Sequence, residues 1–192
     1  MTIAMIGLAY LLGSIPTGFI LGAWAGVDVR KSGSGNVGAT NVARVVGKRQ
    51  GIYTLAADAA KGFLPVFIAL QLGFSTSGVA LVAIAVFLGH LFPVFLRFKG
   101  GKGVATALGI FLALAPWASL VLILLFAVVV WVSRIVSLSS MIAAVAAPPV
   151  FWYFSYSAVV IETSAFLALM ILVRHRSNIQ RLLAGTEPKF GA

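Results

Sequence analysis

Cysteine is absent from the 192-residue sequence and carboxylates are scarce, with Asp28, Asp58, Glu162 and Glu187 the full set. The first absence excludes thiolate nucleophiles, disulfides and thiolate metal sites together. The second leaves no acidic cluster for Mg²⁺, and the two histidines, His90 and His175, lie far apart in the chain. Neither a metal nor a cofactor is expected. Charge of either sign is sparse at 9%, against 61% apolar residues and a mean hydropathy of +1.08. A globular chain of average composition carries about 25% charged residues, so this one has too little polar surface to face water. It reads as an all-α polytopic membrane protein. At ~20 residues per hydrocarbon span, its length holds about seven or eight helices and no sizeable soluble domain.

Apolar runs lie at about 3–25, 52–72, 79–96, 104–115, 118–133, 138–154 and 159–173, which predicts about seven transmembrane helices. Pro116 and Trp117 divide the fourth run from the fifth, and the stretch 104–133 is expected to hold short or re-entrant helices. The first run has no basic leader and no small-residue cleavage pattern, and is read as a retained helix. No internal repeat is visible.

Fourteen Lys and Arg against four carboxylates give a net charge of +10. Loop one holds Arg30, Lys31, Arg44, Lys48 and Arg49; loop three holds Arg97, Lys99 and Lys102; loop five holds Arg134; the tail holds Arg174, Arg176, Arg181 and Lys189. The connections between these, near 73–78, 116–117 and 155–158, hold none. Positive residues are retained in the cytoplasm, so the N-terminus is expected outside and the C-terminus inside. Only Lys61 among the cations falls within a span.

The polar residues gather in the same three places. Loop one, Arg30 to Arg44, contains Gly33, Gly35 and Gly38 in a G-x-G-x-x-G pattern, with Asp58 about twenty residues on as in a dinucleotide fingerprint. That fold needs a soluble strand before the glycines and a helix after them, whereas here an apolar span precedes them and Asp58 falls in the next span. The local physics still holds: glycines let amide N–H groups converge on an anion, and Ser34, Asn36, Thr40, Asn41 and Arg44 add donors. The plainer reading is a flexible polar connector.

Loop three, Arg97 to Thr106, opens into the fourth helix. A Walker loop would need Gly at position 96 and Ser or Thr at 103, where the chain has Leu96 and Gly103. What remains is a glycine-lined helix N-terminus between Lys99 and Lys102, suited to phosphate or carboxylate, or a basic turn with glycines for tight geometry. The tail, read as a helix, sets His175, Asn178 and Arg181 one turn apart on one face; a lipid-binding anchor is the alternative. Glu187 is expected to pair with a basic loop and hold the tail. Asp58 and Lys61 lie i, i+3 and can pair at membrane depth in a structural role. His90 is read as a core histidine near the cytoplasmic end of its span, Ser137, Ser139 and Ser140 as caps of the sixth helix, and Glu162 as lying near the outer interface.

Three of these segments carry a resemblance: Ser34-Gly35-Asn36-Val37-Gly38-Ala39-Thr40-Asn41, Gly100-Gly101-Lys102-Gly103-Val104-Ala105-Thr106, and Asn178 to Glu187. Together they resemble the cytoplasmic motifs of the bacterial acyl-phosphate:glycerol-3-phosphate acyltransferases, the PlsY family, over the whole chain and in the same order. The resemblance implies a single acyltransferase domain over 1–192 in the bacterial inner membrane, with its active site on the cytoplasmic face. It implies acyl transfer from acyl phosphate to the 1-hydroxyl of glycerol 3-phosphate, giving lysophosphatidic acid and inorganic phosphate. Functional coupling to an acyl-phosphate-producing enzyme and contact with membrane lipid follow; a nucleic-acid partner does not. The other large glycerolipid acyltransferase class uses His-x-x-x-x-Asp, which is excluded here because Phe95 follows His90 and Gln180 follows His175 at that spacing.

Acyl phosphate is a mixed anhydride with a good leaving group, so the protein need mainly align the reactants, shield charge and stabilise the oxyanion. On this reading Ser34, Arg44, Lys102 and His175 are the catalytic candidates. Asn36, Thr40, Asn41, Lys99, Thr106 and Asn178 bind substrate, and Gly100, Gly101 and Gly103 bring backbone N–H groups to glycerol phosphate. Asp58, Lys61 and Glu187 are structural. The rival is a membrane transporter of an organic phosphate, which would want polar residues lining a route through the midplane, where only Asp58 and Lys61 reach. An anionic-lipid-binding scaffold would explain the cations but leave the glycine motifs unexplained.

Overall fold

A computed structural model describes residues 2–190, which form helices and no strand. Chain order gives α1 (Thr2–Gly13), α2 (Thr17–Trp24), α3 (Ala39–Val45), α4 (Lys48–Gln71), α5 (Thr76–Leu91), a 3-10 turn (Val94–Leu96), α6 (Val104–Leu114), α7 (Pro116–Ser133), α8 (Val136–Tyr153), α9 (Ala158–Arg174) and α10 (Arg176–Leu183). The described residues fall into two compact units that divide between Ala113 and Leu114.

Every predicted apolar run is helical, yet the runs are not equal. Five stretches are long and apolar enough to cross a bilayer: Thr2–Trp24, Lys48–Gln71, Thr76–Leu96, Pro116–Ser133 and Val136–Tyr153. The pair α9 and α10, bent by 59°, makes a sixth if counted as one span. The fourth run yields the 11-residue α6, about 16 Å long at 1.5 Å per residue against a hydrocarbon core of about 30 Å. The fifth run is not shortened: Pro116 opens the 18-residue α7, where its missing N–H would have had no partner.

The first run departs from its expectation in the other direction. It breaks between Gly13 and Thr17, because Pro16 has no N–H to continue the ladder of α1. Loop one likewise contains a helix, α3, which packs on α4.

In the first unit, helices approach through glycine, the device expected where no hydrophobic gradient drives association. A Cβ on Gly13 would strike the backbone of Val86, one on Gly89 that of Tyr10, one on Gly62 that of Thr106 and one on Gly109 that of Ala59. These contacts set α1 on α5 and α4 on α6. Beneath loop one, Val29, Val37, Val42 and Leu96 form a small apolar core. In the second unit α8 packs against both α7 and α9, while Trp117, Leu124, Trp131 and Trp152 face outward.

Candidate functional site

Loop one is built around a single side chain. Asn41 is buried, its Nδ2 lies 2.9 Å from Val29 O, 3.1 Å from Ser32 O and 2.8 Å from Asn36 O, and its Oδ1 accepts from Ser34 N at 2.8 Å. Gly33 and Gly35 take positive φ (61° and 71°), as the tight fold around that carboxamide demands. Asn36 Oδ1 accepts from Gly38 N at 2.7 Å. Asn41 thus spends its polar groups on the loop's backbone, where the sequence suggested a substrate donor. The side chains left facing outward are Ser34, Thr40 and Arg44, the last two one turn apart on α3.

Arg30 is committed elsewhere. Its Nε and NH2 each reach Asp28 at 2.9 Å, and its guanidinium lies 4.4 Å from the Phe19 ring centroid. The Arg30 hydrogen bond holds the Asp28 carboxyl down at about 2.

Loop three turns back onto α5. Arg97 and Phe98 adopt left-handed backbone, Gly100 N donates to Leu91 O and Gly101 N donates to His90 O, each at 3.2 Å. Those two amides were expected to point at a phosphate; they satisfy the carbonyls at the α5 end instead. The glycines are required for closeness: a Cβ on Gly100 would meet His90 O, and one on Gly101 the His90 ring at Nε2. Gly103 combines a φ of 85° with contact to the Phe87 ring. Lys99 is exposed and Lys102 half-buried. Among the described residues, Thr106 Oγ1 is the one buried side-chain oxygen without a hydrogen-bond partner, a state that buried hydroxyls rarely show.

Below the loops, α4 carries the expected ion pair, Lys61 Nζ to Asp58 Oδ1 at 2.8 Å, with both side chains buried. Three partners join it that the sequence reading missed. Thr17 Oγ1 donates to Asp58 Oδ1 at 2.6 Å, Lys61 Nζ donates to Ile15 O at 2.9 Å, and His90 Nδ1 lies 3.7 Å from Asp58 Oδ1. Pro16 inside an apolar run was the available signal, since a broken helix leaves carbonyls that need donors. The cluster lines a pocket of about 10 Å³ with Ser14, Val37 and Pro93, room for roughly one water.

In the second unit the tail closes on Glu187. Its Oε1 accepts from Ser137 Oγ at 2.6 Å and Asn178 Nδ2 at 2.5 Å, and its Oε2 from Arg181 Nε at 2.7 Å. Burial pushes this carboxyl up, but the three hydrogen bonds and the Arg181 charge prevail and its pKa is lowered. The pairing expected with a basic loop is not the one formed: the ion pair lies within the tail, Ser137 at the start of α8 donates to the same carboxylate, and Phe190 N donates to Arg134 O at 2.6 Å. Ser137, Ser139 and Ser140 do not cap α8, whose N-cap is Ile135. Ser139 and Ser140 bond back to Ile135 O and Val136 O, because one turn into a helix the nearest acceptor is the preceding carbonyl. His175 sits buried at the bend between α9 and α10. Its Nδ1, 2.8 Å from Ile171 O, is the protonated ring nitrogen, since a carbonyl has no hydrogen to give.

The profile of the glycerol-3-phosphate acyltransferase family matches residues 3–185. The glycerol-3-phosphate acyltransferase of Trichlorobacter lovleyi is 52% identical over 184 residues, 96% of this chain and 95% of its own. That of Geobacter metallireducens is 52% identical over 190 residues, 99% and 98% of the two chains. A crystal structure of PlsY, an integral membrane glycerol 3-phosphate acyltransferase, in its glycerol 3-phosphate form matches with a TM-score of 0.96 at 41% identity, covering 99% of this chain and 96% of that one. Its lysophosphatidic acid form matches at 0.93.

Proposed function

The chain belongs to the glycerol-3-phosphate acyltransferase family, and from that premise we propose that it moves a fatty acyl group from acyl phosphate to the 1-hydroxyl of glycerol 3-phosphate. The carrying observation is that one fold, matched over 99% of this chain, holds an acceptor, glycerol 3-phosphate, in one crystal form and an acylated product, lysophosphatidic acid, in another. The family assignment spans the length of the chain, which we read as one acyltransferase domain with seven crossings, the short α6 counted as one of them, and the N-terminus outside.

In the reaction, the acceptor hydroxyl oxygen attacks the acyl carbonyl carbon. The bond between that carbon and the phosphate oxygen breaks, and phosphate departs with the electron pair. The hydroxyl proton passes to a phosphate oxygen of the donor, so the products are lysophosphatidic acid and inorganic phosphate and no acyl-enzyme forms. Arg44 and Lys102 neutralise phosphate charge, and Ser34 and Thr40 supply neutral donors. Thr106 Oγ1, lacking a protein partner, is assigned to a substrate oxygen. The glycine loop contributes close approach more than N–H groups, because the amides of Gly100 and Gly101 are occupied. The acyl chain lies between spans, open to the bilayer of the bacterial inner membrane, with the basic loops at its cytoplasmic face. Acyl phosphate is short-lived in water, which favours supply by an enzyme working nearby.

The buried Asp58 and Lys61 are what a transporter reading would rest on, yet they are closed on each other rather than lining a route. One assay separates the two. Purified protein given radiolabelled glycerol 3-phosphate and acyl phosphate is expected to release lysophosphatidic acid and phosphate. Product with acyl-CoA alone overturns the donor assignment, and uptake into vesicles without product supports the transporter. Ser34→Ala with retained turnover rules out a serine nucleophile, whereas a trapped acyl-Ser34 sinks direct attack.

A further inference from the structure

An ion pair within a span needs only to neutralise itself, but the Asp58 and Lys61 pair reaches three other elements. Lys61 Nζ holds Ile15 O at the break between α1 and α2, Thr17 at the start of α2 donates to Asp58, and His90 at the end of α5 faces the same carboxylate oxygen. Each of these partners underlies one polar loop. One residue after Thr17, Gly18 packs so closely on loop one that a Cβ would strike Val37 O and the side chain of Val42. On the other side, His90 O accepts from Gly101 N, and the His90 ring leaves no room for a Cβ there. Val37 from loop one and Pro93 ahead of loop three line the same pocket as Asp58, Lys61 and His90.

Loop one and loop three therefore rest on a common floor. A shift of the His90 ring displaces Gly101, the neighbour of Lys102, and a shift of Thr17 displaces Gly18 against Val37. Contacts of this closeness transmit a displacement because the interior has no slack to absorb it. We propose that Asp58, with Lys61, is a positioning residue for acyl transfer: it sets the register between loop one and loop three, and so the spacing of the groups that bind glycerol 3-phosphate. It touches no substrate. The inference rests on the reading that these two loops bind that substrate.

The test uses full-length enzyme purified in detergent, with melting temperature, kinetics for both substrates and calorimetric titration of glycerol 3-phosphate. Asp58→Asn keeps the size and the acceptor for Thr17 while removing the charge. It is expected to raise KM and Kd for glycerol 3-phosphate about tenfold or more, as a misplacement on the ångström scale does, with KM for acyl phosphate much less affected. Thr17→Val is expected to move the same constants by about fivefold, the equivalent of one neutral hydrogen bond. Combining Thr17→Val with His90→Gln is expected to be less damaging than the two effects multiplied, because both act through one carboxylate.

A fall in melting temperature with both KM values unchanged in the folded protein overturns the proposal, and so does an equal rise in both. If Asp58→Asn does not fold, Thr17→Val and His90→Gln decide the matter on the same criteria. Wild-type enzyme inactive with acyl phosphate refutes the donor assignment while the calorimetric comparison still tests the positioning role. Wild-type protein that binds no glycerol 3-phosphate overturns both.

Discussion

The two units each contain a carboxylate fixed by several donors, and the two differ in what surrounds them. Asp58 has Lys61, Thr17 and the nearby His90, and the side chains of the ion pair are 3% and 6% exposed. Glu187 has Ser137, Asn178 and Arg181, and the Arg181 side chain is 36% exposed. In the first cluster neither side chain of the ion pair can turn to water when its partner is lost; in the second, Arg181 can. A buried pair is therefore a device whose value shows mainly in what happens when half of it is removed, while a pair at the edge behaves like an ordinary clasp.

Removing the cation from the first cluster is the severest break. Lys61→Met leaves Asp58 uncompensated and is expected to destabilise the folded protein by about 3–5 kcal/mol, measured by thermal unfolding in detergent, with much of that recovered in Lys61→Met with Asp58→Leu. If the single variant costs no more than an exposed pair, the contrast between the clusters collapses. Next in size is Gly101→Ala, which pushes a methyl against the His90 ring. The expected overpacking cost is about 1–3 kcal/mol, with turnover at subsaturating glycerol 3-phosphate reduced well beyond what the melting temperature alone implies.

Glu187→Gln is expected to cost about 1 kcal/mol, since Ser137 and Asn178 can still donate and Arg181 regains water. Its pH signature has a definite sign. The folded carboxyl lies below its ordinary pKa, so the stability it contributes is complete above the unfolded pKa and is lost as pH falls through the folded one. Melting curves taken below about pH 4 are expected to converge for wild type and Glu187→Gln; curves that stay parallel would remove the ion pair from the account. The smallest effect belongs to Asp28→Asn. That carboxylate is exposed beside Arg30, and no measurable change in melting temperature is expected.

Much of this architecture was legible in residue types alone. The seven apolar runs are all helical, and Asp58 with Lys61 pairs as the i, i+3 spacing requires. The break at Pro16 was not read, although the proline announced it, because hydropathy averaged over a window is insensitive to one missing N–H. The role of Asn41 was misassigned for a similar reason. A carboxamide can donate to a ligand or to its own loop, and which it does depends on where Val29 O and Asn36 O lie. Gly100 and Gly101 were singled out as donors, whereas in the structure they serve as close contacts to α5.

By itself the sequence determined that the chain lives in a membrane, that its cations collect in alternate connections, and that its glycines and short polar residues concentrate in the loops beside them. These are properties of composition and spacing, and periodicity carries them without any fold. Tertiary structure decided which polar groups are spent on the protein and which face outward. That choice is made by distances of about 3 Å between residues as far apart as Thr17 and Asp58 or Ser137 and Glu187. No local pattern encodes such distances, because they follow from how whole helices pack.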